Sequence, residues 1–156
     1  MEPRFRLVPL EGVLPVHLEM DRHRVSAEVG EPDRTTVSRQ SGLPVEYRFR
    51  NTLSVRYCKD GKVKQIGVVP GCNELYLGDK LLWSQRHTLD PNQPLLLADP
   101  SPIEVNGFLV FPRLRVTTTG FHDGDRSQRA LTVFRPGLWD EAIQMSGRKP
   151  NLARYV

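Results

Sequence analysis

The stretch that decides the fold is 45–68, which reads VEYRFRNTLSVRYCKDGKVKQIGV. Apolar and polar residues alternate along it with a period of two, the pattern of strands that bury one face of a sheet. A three-residue turn at 50–52 and an Asp-Gly turn within 59–62 divide it into three strands, so it predicts an antiparallel meander. The predicted core residues are Tyr47, Phe49, Leu53, Val55, Tyr57, Ile66 and Val68.

The lengths of the two turns predict the register of this meander. The Asp-Gly turn, as a two-residue loop, pairs Val55 with Ile66 and sets Cys58 opposite Val63. The three-residue turn keeps the first strand in phase with the second, because an even-numbered loop would turn their apolar sets to opposite faces. The predicted outer face then carries Glu46, Arg48, Ser54, Arg56 and Gln65, with Glu46 opposite Arg56.

A short helix is predicted before the meander, over 20–30. Asp21 suits the N-cap, because its carboxylate accepts hydrogen bonds from the free N–H groups of the first turn. Gly30 suits the left-handed position at the other end, and Pro32 prevents continuation. A helix of this length is marginal alone, so it must pack on another element.

The second half of the chain repeats this order with weaker signals. A helix is predicted from Asp90-Pro91 to the Asp-Pro pair at 99–100. Strands are predicted at 73–77, 108–111, 114–119 and 129–134, and a closing helical turn at 139–145. The predicted fold class is therefore α+β, with two tandem helix-plus-antiparallel-meander units. These units span 1–70 and 71–156, either as separate units or merged into one compact domain.

Composition excludes several classes of protein. The chain has 156 residues, of which 12 are Gly and 13 are Pro, too many for a helical bundle or a coiled coil. No stretch approaches the roughly 18 apolar residues that span a bilayer, so no membrane partner is expected. Residues 1–10 lack the apolar core and cleavage site of a secretory signal, and a cytoplasmic location is therefore expected. The two cysteines, Cys58 and Cys72, are expected to be free thiols in a reducing compartment.

Charge argues against a nucleic-acid partner. The 22 basic residues, 17 of them Arg, exceed the 18 acidic residues by a net charge of +4. The two signs are mixed along the chain, whereas nucleic-acid binding needs a basic stripe or patch. A solvated surface of mixed charge is the favoured interpretation.

Motifs that carry catalysis are missing from the sequence. The patterns GxxxxGK[ST], GxGxxG, GxSxG and HExxH are all absent. The best local cluster is the loop 121–127, where His122, Asp123 and Asp125 lie close in sequence. These side chains suit a divalent cation, or His122 suits a general base. A polar turn between two strands is the favoured alternative, because Asp-Gly-Asp supplies turn geometry.

Large apolar residues allow two interpretations. Trp83 and Trp139 are either core residues, the favoured reading, or anchors for a partner. If Pro112-Arg113 forms a tight turn, Phe111 pairs with Leu114 on the core face. The residues sharing the other, outer face are then Phe108, Val110, Arg115 and Thr117. Apolar and Arg side chains on an outer face are typical of an interface, but a bulge at the proline would exchange the two faces.

Two segments resemble a known family. Residues 17–25 and 29–32 resemble the small helical motif that opens proteins with a fold like the beta-lactamase inhibitory protein and the BamE/SmpA lipoproteins. The hairpin 53–66 resembles the hairpin of the same unit. The chain departs from the motif at Glu19, where the family usually has Gly. As a whole, the chain also resembles cytosolic immunity proteins encoded beside secreted antibacterial toxins, including type VI secretion effectors.

The resemblance implies that the chain binds and neutralises a cognate toxin, for which a nuclease effector is one candidate. It implies no catalytic residue, no metal and no cofactor. The predicted partner-binding residues are Arg48, Arg56, Gln65, Phe108, Arg115, His122, Asp123 and Asp125. The alternatives are a nucleic-acid-binding module or a small enzyme that uses His122 and Asp123. A net charge of +4 disfavours mimicry of DNA.

Overall fold

The computed structural model describes residues 3–71 and 73–155, so the prediction for Cys72 lies outside the described residues. The first half contains β1 (Arg4–Val8), β2 (Gly12–Leu14), β3 (Val16–His17), α1 (Arg22–Val29), β4 (Arg34–Val37), β5 (Pro44–Arg48), β6 (Leu53–Tyr57) and β7 (Val63–Val68). The second half contains β8 (Glu74–Leu77), β9 (Lys80–Ser84), β10 (His87–Thr88), α2 (Asn92–Ala98), β11 (Ile103–Val105), β12 (Phe108–Phe111), β13 (Val116–Thr119), β14 (Ala130–Phe134) and α3 (Asp140–Ser146). The α+β class is confirmed.

The strands form two sheets, and both halves contribute to each. The six-stranded sheet has the order β10-β9-β8-β1-β2-β3, and the eight-stranded sheet has the order β11-β12-β13-β14-β7-β6-β5-β4. The halves join through β1 with β8 and through β7 with β14. The first of these pairs is parallel, which corrects the expectation of purely antiparallel sheets.

The hairpin between β6 and β7 has the predicted register at its centre and a different turn. Val55 lies opposite Ile66, as predicted. At the turn, however, the Cys58 N–H donates to the Lys62 carbonyl at 2.8 Å, so the loop has three residues rather than two. A register shift between Arg56 and Tyr57 compensates for the additional loop residue.

The turn between β5 and β6 overturns the predicted first register. Arg48 lies opposite Leu53, which leaves a four-residue loop in place of three. Phe49, Arg50 and Asn51 take φ values of 53°, 57° and 65°, the left-handed region that non-glycine residues rarely occupy. Glu46 consequently lies opposite Val55, not Arg56, and its side chain turns to the core side of the sheet.

Helix α1 forms where its end signals predict, although Gly30 has a ψ of 173° and so is not in the predicted left-handed helical conformation. The Asp21 carboxylate accepts a hydrogen bond from the Arg24 N–H at 2.8 Å, and Gly30 follows the helix with a φ of 84°. The entry turn holds Glu19 at a φ of 76°, a conformation that favours the glycine of the resembled motif. Val25 is the buried residue of the helix and fixes it to the core.

The main core lies where the two sheets meet α1 and α2. Val25 of α1 and Leu95 of α2 both belong to it. Its other fully buried members include Phe5, Leu7, Leu53, Val55, Tyr57, Ile66, Val68, Leu75, Trp83, Leu109 and Phe111. Five of the predicted core residues are thus confirmed, whereas Tyr47 and Phe49 are only partly buried. None of the helices in the described residues is long and apolar enough to cross a membrane.

The turn between β12 and β13 is not the tight turn at Pro112-Arg113 that the sequence allows. Phe111 lies opposite Val116, so residues 112–115 form a four-residue loop. Arg115 belongs to that loop, with a φ of 55°. It therefore does not lie on the sheet face where the tight turn would have placed it. Val110 lies opposite Thr117, so these two residues share a face.

Candidate interaction surface

The outer side of strands β4–β7 forms a polar surface that we call the open face. Its residues alternate with the core residues of the same strands, and the register pairs Arg34 with Tyr47, Tyr47 with Ser54 and Arg56 with Gln65. The six residues that define the open face are Arg34, Thr36, Tyr47, Ser54, Arg56 and Gln65, and all are exposed or half-buried. None of the six is acidic.

The open face presents one arginine without a partner in the described residues, Arg56, and a second, Arg34, that is held by Tyr47 and Asn51. Arg56 makes no hydrogen bond or ion pair with any residue of the described chain, and the Gln65 amide lies beside it on the neighbouring strand. The Arg34 guanidinium stacks over the Tyr47 ring, 4.2 Å from its centroid. Guanidinium groups pair bidentately with carboxylates, and a stacked tyrosine adds contact area with little loss of entropy. This chemistry suits an acidic protein surface.

Arg48 does not lie on the open face, which corrects its prediction as a partner contact. It is 1 % exposed and lies beneath α1. Its guanidinium donates to the Gly30 carbonyl at 2.8 Å, to the Ser26 hydroxyl at 3.2 Å and to the Glu46 carboxylate at 3.1 Å. The one-residue change in register, described above, is the reason that it faces inward.

Glu46 is the centre of this buried network. It is 2 % exposed and accepts hydrogen bonds from the Tyr57 hydroxyl at 2.7 Å and from Arg22 at 3.0 Å, in addition to Arg48. Burial raises the pKa of Glu46, but the bonds from Tyr57, Arg22 and Arg48 outweigh it and hold the pKa below the ordinary value of 4.5. Burial, and then the bond to Glu46, raise the pKa of Tyr57 well above its ordinary value of 10.0. The network therefore holds α1 on the sheet when Glu46 is ionised and Tyr57 is protonated.

We expect stability to fall at both ends of the pH range because of this network. Ionised Glu46 stabilises the fold above pH 4.5, and that contribution is lost as pH falls through its lowered pKa. Protonated Tyr57 stabilises the fold below pH 10.0, and that contribution is lost as pH rises through its raised pKa. Urea unfolding across pH measures both effects. Tyr57→Phe should reduce the alkaline slope, and an unchanged slope in this variant would contradict the assignment.

The outer face of the second half is covered by α3, so the predicted contact Phe108 does not lie on a free sheet face. Helix α3 and Trp139 pack over Val105, Val110 and Phe134. Phe108 remains 37 % exposed but lies against Trp139, with ring centroids 4.9 Å apart. It is therefore an edge residue of a small apolar cluster rather than the centre of a free face. Trp139 is half-buried and packs against this cluster.

The loop 121–127 has the hydrogen bonds of a polar turn. The Asp123 carboxylate accepts from the Asp125 N–H at 3.1 Å. Asp125 in turn accepts from the N–H and hydroxyl of Ser127 at 3.1 and 2.6 Å. His122 is half-buried beside Phe121, which stacks on Trp83 in the core. The described residues contain no group of three or more His, Cys, Asp or Glu side chains arranged to hold a metal ion.

A cleft of about 740 Å³ lies beside α1 and is not predicted by the sequence. Its charged lining includes Arg4 and Arg6 of β1 and Arg24 of α1. Glu28 and Asp79 balance these cations, and Arg4 already contacts Glu74 at 3.5 Å. The alternation of Arg and apolar residues over 4–7 is the signal that would have predicted β1. Strand β8 is predicted, but its parallel pairing with β1, which completes the cleft, has no local signal.

Comparison of the chain with protein-family models, with curated proteins and with solved structures finds no match. Of the predicted partner-binding residues, the structure brings Arg56 and Gln65 together on the open face. It places Arg48 in the interior, Phe108 against Trp139 and Arg115 in a separate loop. Arg34 and Tyr47 are the neighbours that the sequence did not assign to this surface.

Proposed function

We propose that this chain is an immunity protein that neutralises a secreted antibacterial toxin by binding it through the open face. The observation that carries the proposal is the unpartnered guanidinium of Arg56, set beside Gln65 on a face without a carboxylate. An exposed sheet face with donors and one aromatic ring, Tyr47, suits protein recognition. The resemblance to immunity proteins supplies the toxin as the partner.

The proposed partner surface is acidic. The open face gains its positive character because Glu46 lies on the opposite side of the sheet, and the whole chain carries a net charge of +4. Complementary charge accelerates association and fixes the orientation of the partner. If the toxin is a nuclease, its basic catalytic cleft would repel the open face, so this contact would lie at an exosite.

Replacing Arg56 and Gln65 together by alanine should weaken binding without unfolding the chain. Hot-spot residues lose about 2 kcal/mol or more on truncation, which corresponds to an affinity loss of about 30-fold. The measurement is calorimetric titration with the isolated product of the neighbouring gene, which the proposal expects to be the toxin. Growth of bacteria that express this toxin provides the second readout, because the variant should protect them less than the unmodified chain does.

Arg86→Ala is the matched control for this experiment. Arg86 is exposed between β9 and β10, on the other sheet, so its removal should leave affinity unchanged. Failure of the unmodified chain to protect against the adjacent toxin would refute the proposed function. Normal protection combined with unchanged affinity in the Arg56 and Gln65 variant would refute only the proposed surface.

A nucleic-acid module is the second candidate, favoured by one observation. The stacked pair of Arg34 and Tyr47 resembles, in chemistry, the aromatic and cationic surfaces on which unpaired bases stack. Gel-shift titration with single-stranded RNA and DNA at increasing salt distinguishes the two candidates. Binding that weakens steeply with salt supports the module, and the absence of any shift removes it.

We also propose that the halves are two copies of one unit. Each half runs through three strands, a helix and four strands, and each sheet order is unchanged when β1–β7 are exchanged for β8–β14. The helices begin at Arg22 and Asn92, 70 residues apart, and bury Val25 and Leu95. Superposition of the two halves tests this proposal, and failure of α1 to overlay α2 would contradict it.

A further inference from the structure

Strand β4 is an exposed edge of the eight-stranded sheet. The opposite edge, β11, is closed by the chain itself, because Glu104 and Arg148 exchange two backbone hydrogen bonds of 2.9 Å. The two edges of the other sheet, β3 and β10, have only two residues each. Among the described residues, β4 is thus longer than the edge strands β3 and β10, and no other segment pairs with its outer side. An edge of this kind is a template for another strand.

The backbone of β4 presents free hydrogen-bonding groups at two positions. Ser38 donates to the Leu43 carbonyl at 2.9 Å, so by alternation the backbone groups of Arg34, Thr36 and Ser38 face β5. Those of Thr35 and Val37 consequently point away from the sheet. Val37 is also 65 % exposed, an unusual position for an apolar strand residue.

Charges at the two ends of β4 are complementary to each other. Asp33 precedes the strand and Arg39 follows it, and both side chains are exposed. Neither side chain has a hydrogen bond or ion pair within residues 3–71 and 73–155, and the Asp33 backbone N–H donates to the Tyr47 carbonyl of β5 at 2.9 Å. A second β4 laid antiparallel, with Thr36 at the centre, would set Thr35 opposite Val37. Asp33, just before the strand, would then lie near Arg39, which begins the turn after Ser38 in the other copy. Each dimer would then contain two such ion pairs.

We propose that two copies of this chain associate through their β4 edges and join their eight-stranded sheets into one. The occupant of the edge is a second copy because the acidic end and the basic end of this strand match the same strand reversed. The outward groups of Thr35 and Val37 supply the backbone hydrogen bonds, and the two ion pairs select the register. This association goes beyond the proposed function and does not require it.

The test is the solution mass of the full chain, measured by sedimentation as a function of concentration. The expected result is a species of twice 17.8 kDa that dissociates on dilution. Asp33→Lys alone, or Arg39→Glu alone, turns both ion pairs into repulsive contacts and should weaken the dimer roughly tenfold. Arg86→Glu, a reversal on the other sheet, is the control and should leave dimerisation unchanged.

The double variant, Asp33→Lys with Arg39→Glu, restores complementary pairs with reversed sign and should recover the dimer. Thr35→Pro, which removes one outward N–H, should abolish it while circular dichroism shows an intact fold. A chain that stays monomeric at all concentrations overturns the proposal, as does a dimer that ignores the single reversals or a double variant that does not recover. The proposed function is tested separately, by the toxin affinity of the Arg56 and Gln65 variant. Failure of the dimer proposal is therefore distinguishable from failure of the proposed function.

Discussion

Replacement of Trp83 by alanine is expected to cost about 3–5 kcal/mol of folding free energy, the range for loss of a large aromatic side chain from a core. Trp83 is fully buried and stacks on Phe121, with ring centroids 6.1 Å apart. Its indole N–H donates to the Asn73 side-chain oxygen at 2.7 Å. The alanine variant therefore leaves both a cavity and a buried amide without its donor. Urea unfolding of the variant and the unmodified chain measures the difference.

Two further variants separate packing from hydrogen bonding at this position. Trp83→Phe retains most of the volume but leaves Asn73 unsatisfied, so it should cost about 1–3 kcal/mol. Trp139→Ala is the control, because Trp139 is half-buried at the edge of the smaller cluster and should cost less than Trp83→Ala. A loss below about 1 kcal/mol in Trp83→Ala would show that this position is not the core anchor that its contacts indicate.

The elements of this fold that the sequence predicts are those with local causes. Helix α1 begins at an N-cap aspartate and ends at a glycine, and both signals lie within the helix or next to it. Strands β6 and β7 follow from a period of two. Their central pair, Val55 with Ile66, is the predicted one only because the register shift next to Tyr57 offsets the additional loop residue. Sheet assembly has no comparable signal, because the pairing of β1 with β8 joins segments that are far apart in sequence.

Turn conformation is the main reason that the site could be predicted only in part. Phe49 and Arg50 take left-handed conformations that neither residue type favours, so the sequence indicates no four-residue loop there. Since side chains alternate along a strand, this one-residue difference moves Glu46 and Arg48 from the outer face to the core side. Arg56 and Gln65 lie beyond that turn and keep their predicted places. Helix α3 covers the outer face of the second half, and this coverage depends on packing between segments that are distant in sequence.

Arg48→Ala is expected to destabilise the fold by about 3–5 kcal/mol, the cost of breaking a buried ion pair by removal of one partner. The variant leaves Glu46 buried with one cation fewer and removes the donor to the Gly30 carbonyl at the end of α1. Arg48→Lys retains the charge but not the three separate donor directions, so its loss should be smaller. Thermal unfolding with matched urea titrations measures each value.

Paired substitution identifies the network as the cause of this loss. Glu46→Gln combined with Arg48→Met removes both charges, so its cost should fall below the sum of the two single costs. Additive costs would show that Glu46 and Arg48 act independently, against the 3.1 Å contact between them.

Toxin affinity distinguishes the residues of the buried network from those of the open face. Measured where the variant remains folded, Arg48→Ala should bind as the unmodified chain does, because its side chain lies beneath α1. The variant of Arg56 and Gln65 should instead lose affinity and retain stability, since these residues lie on the open face.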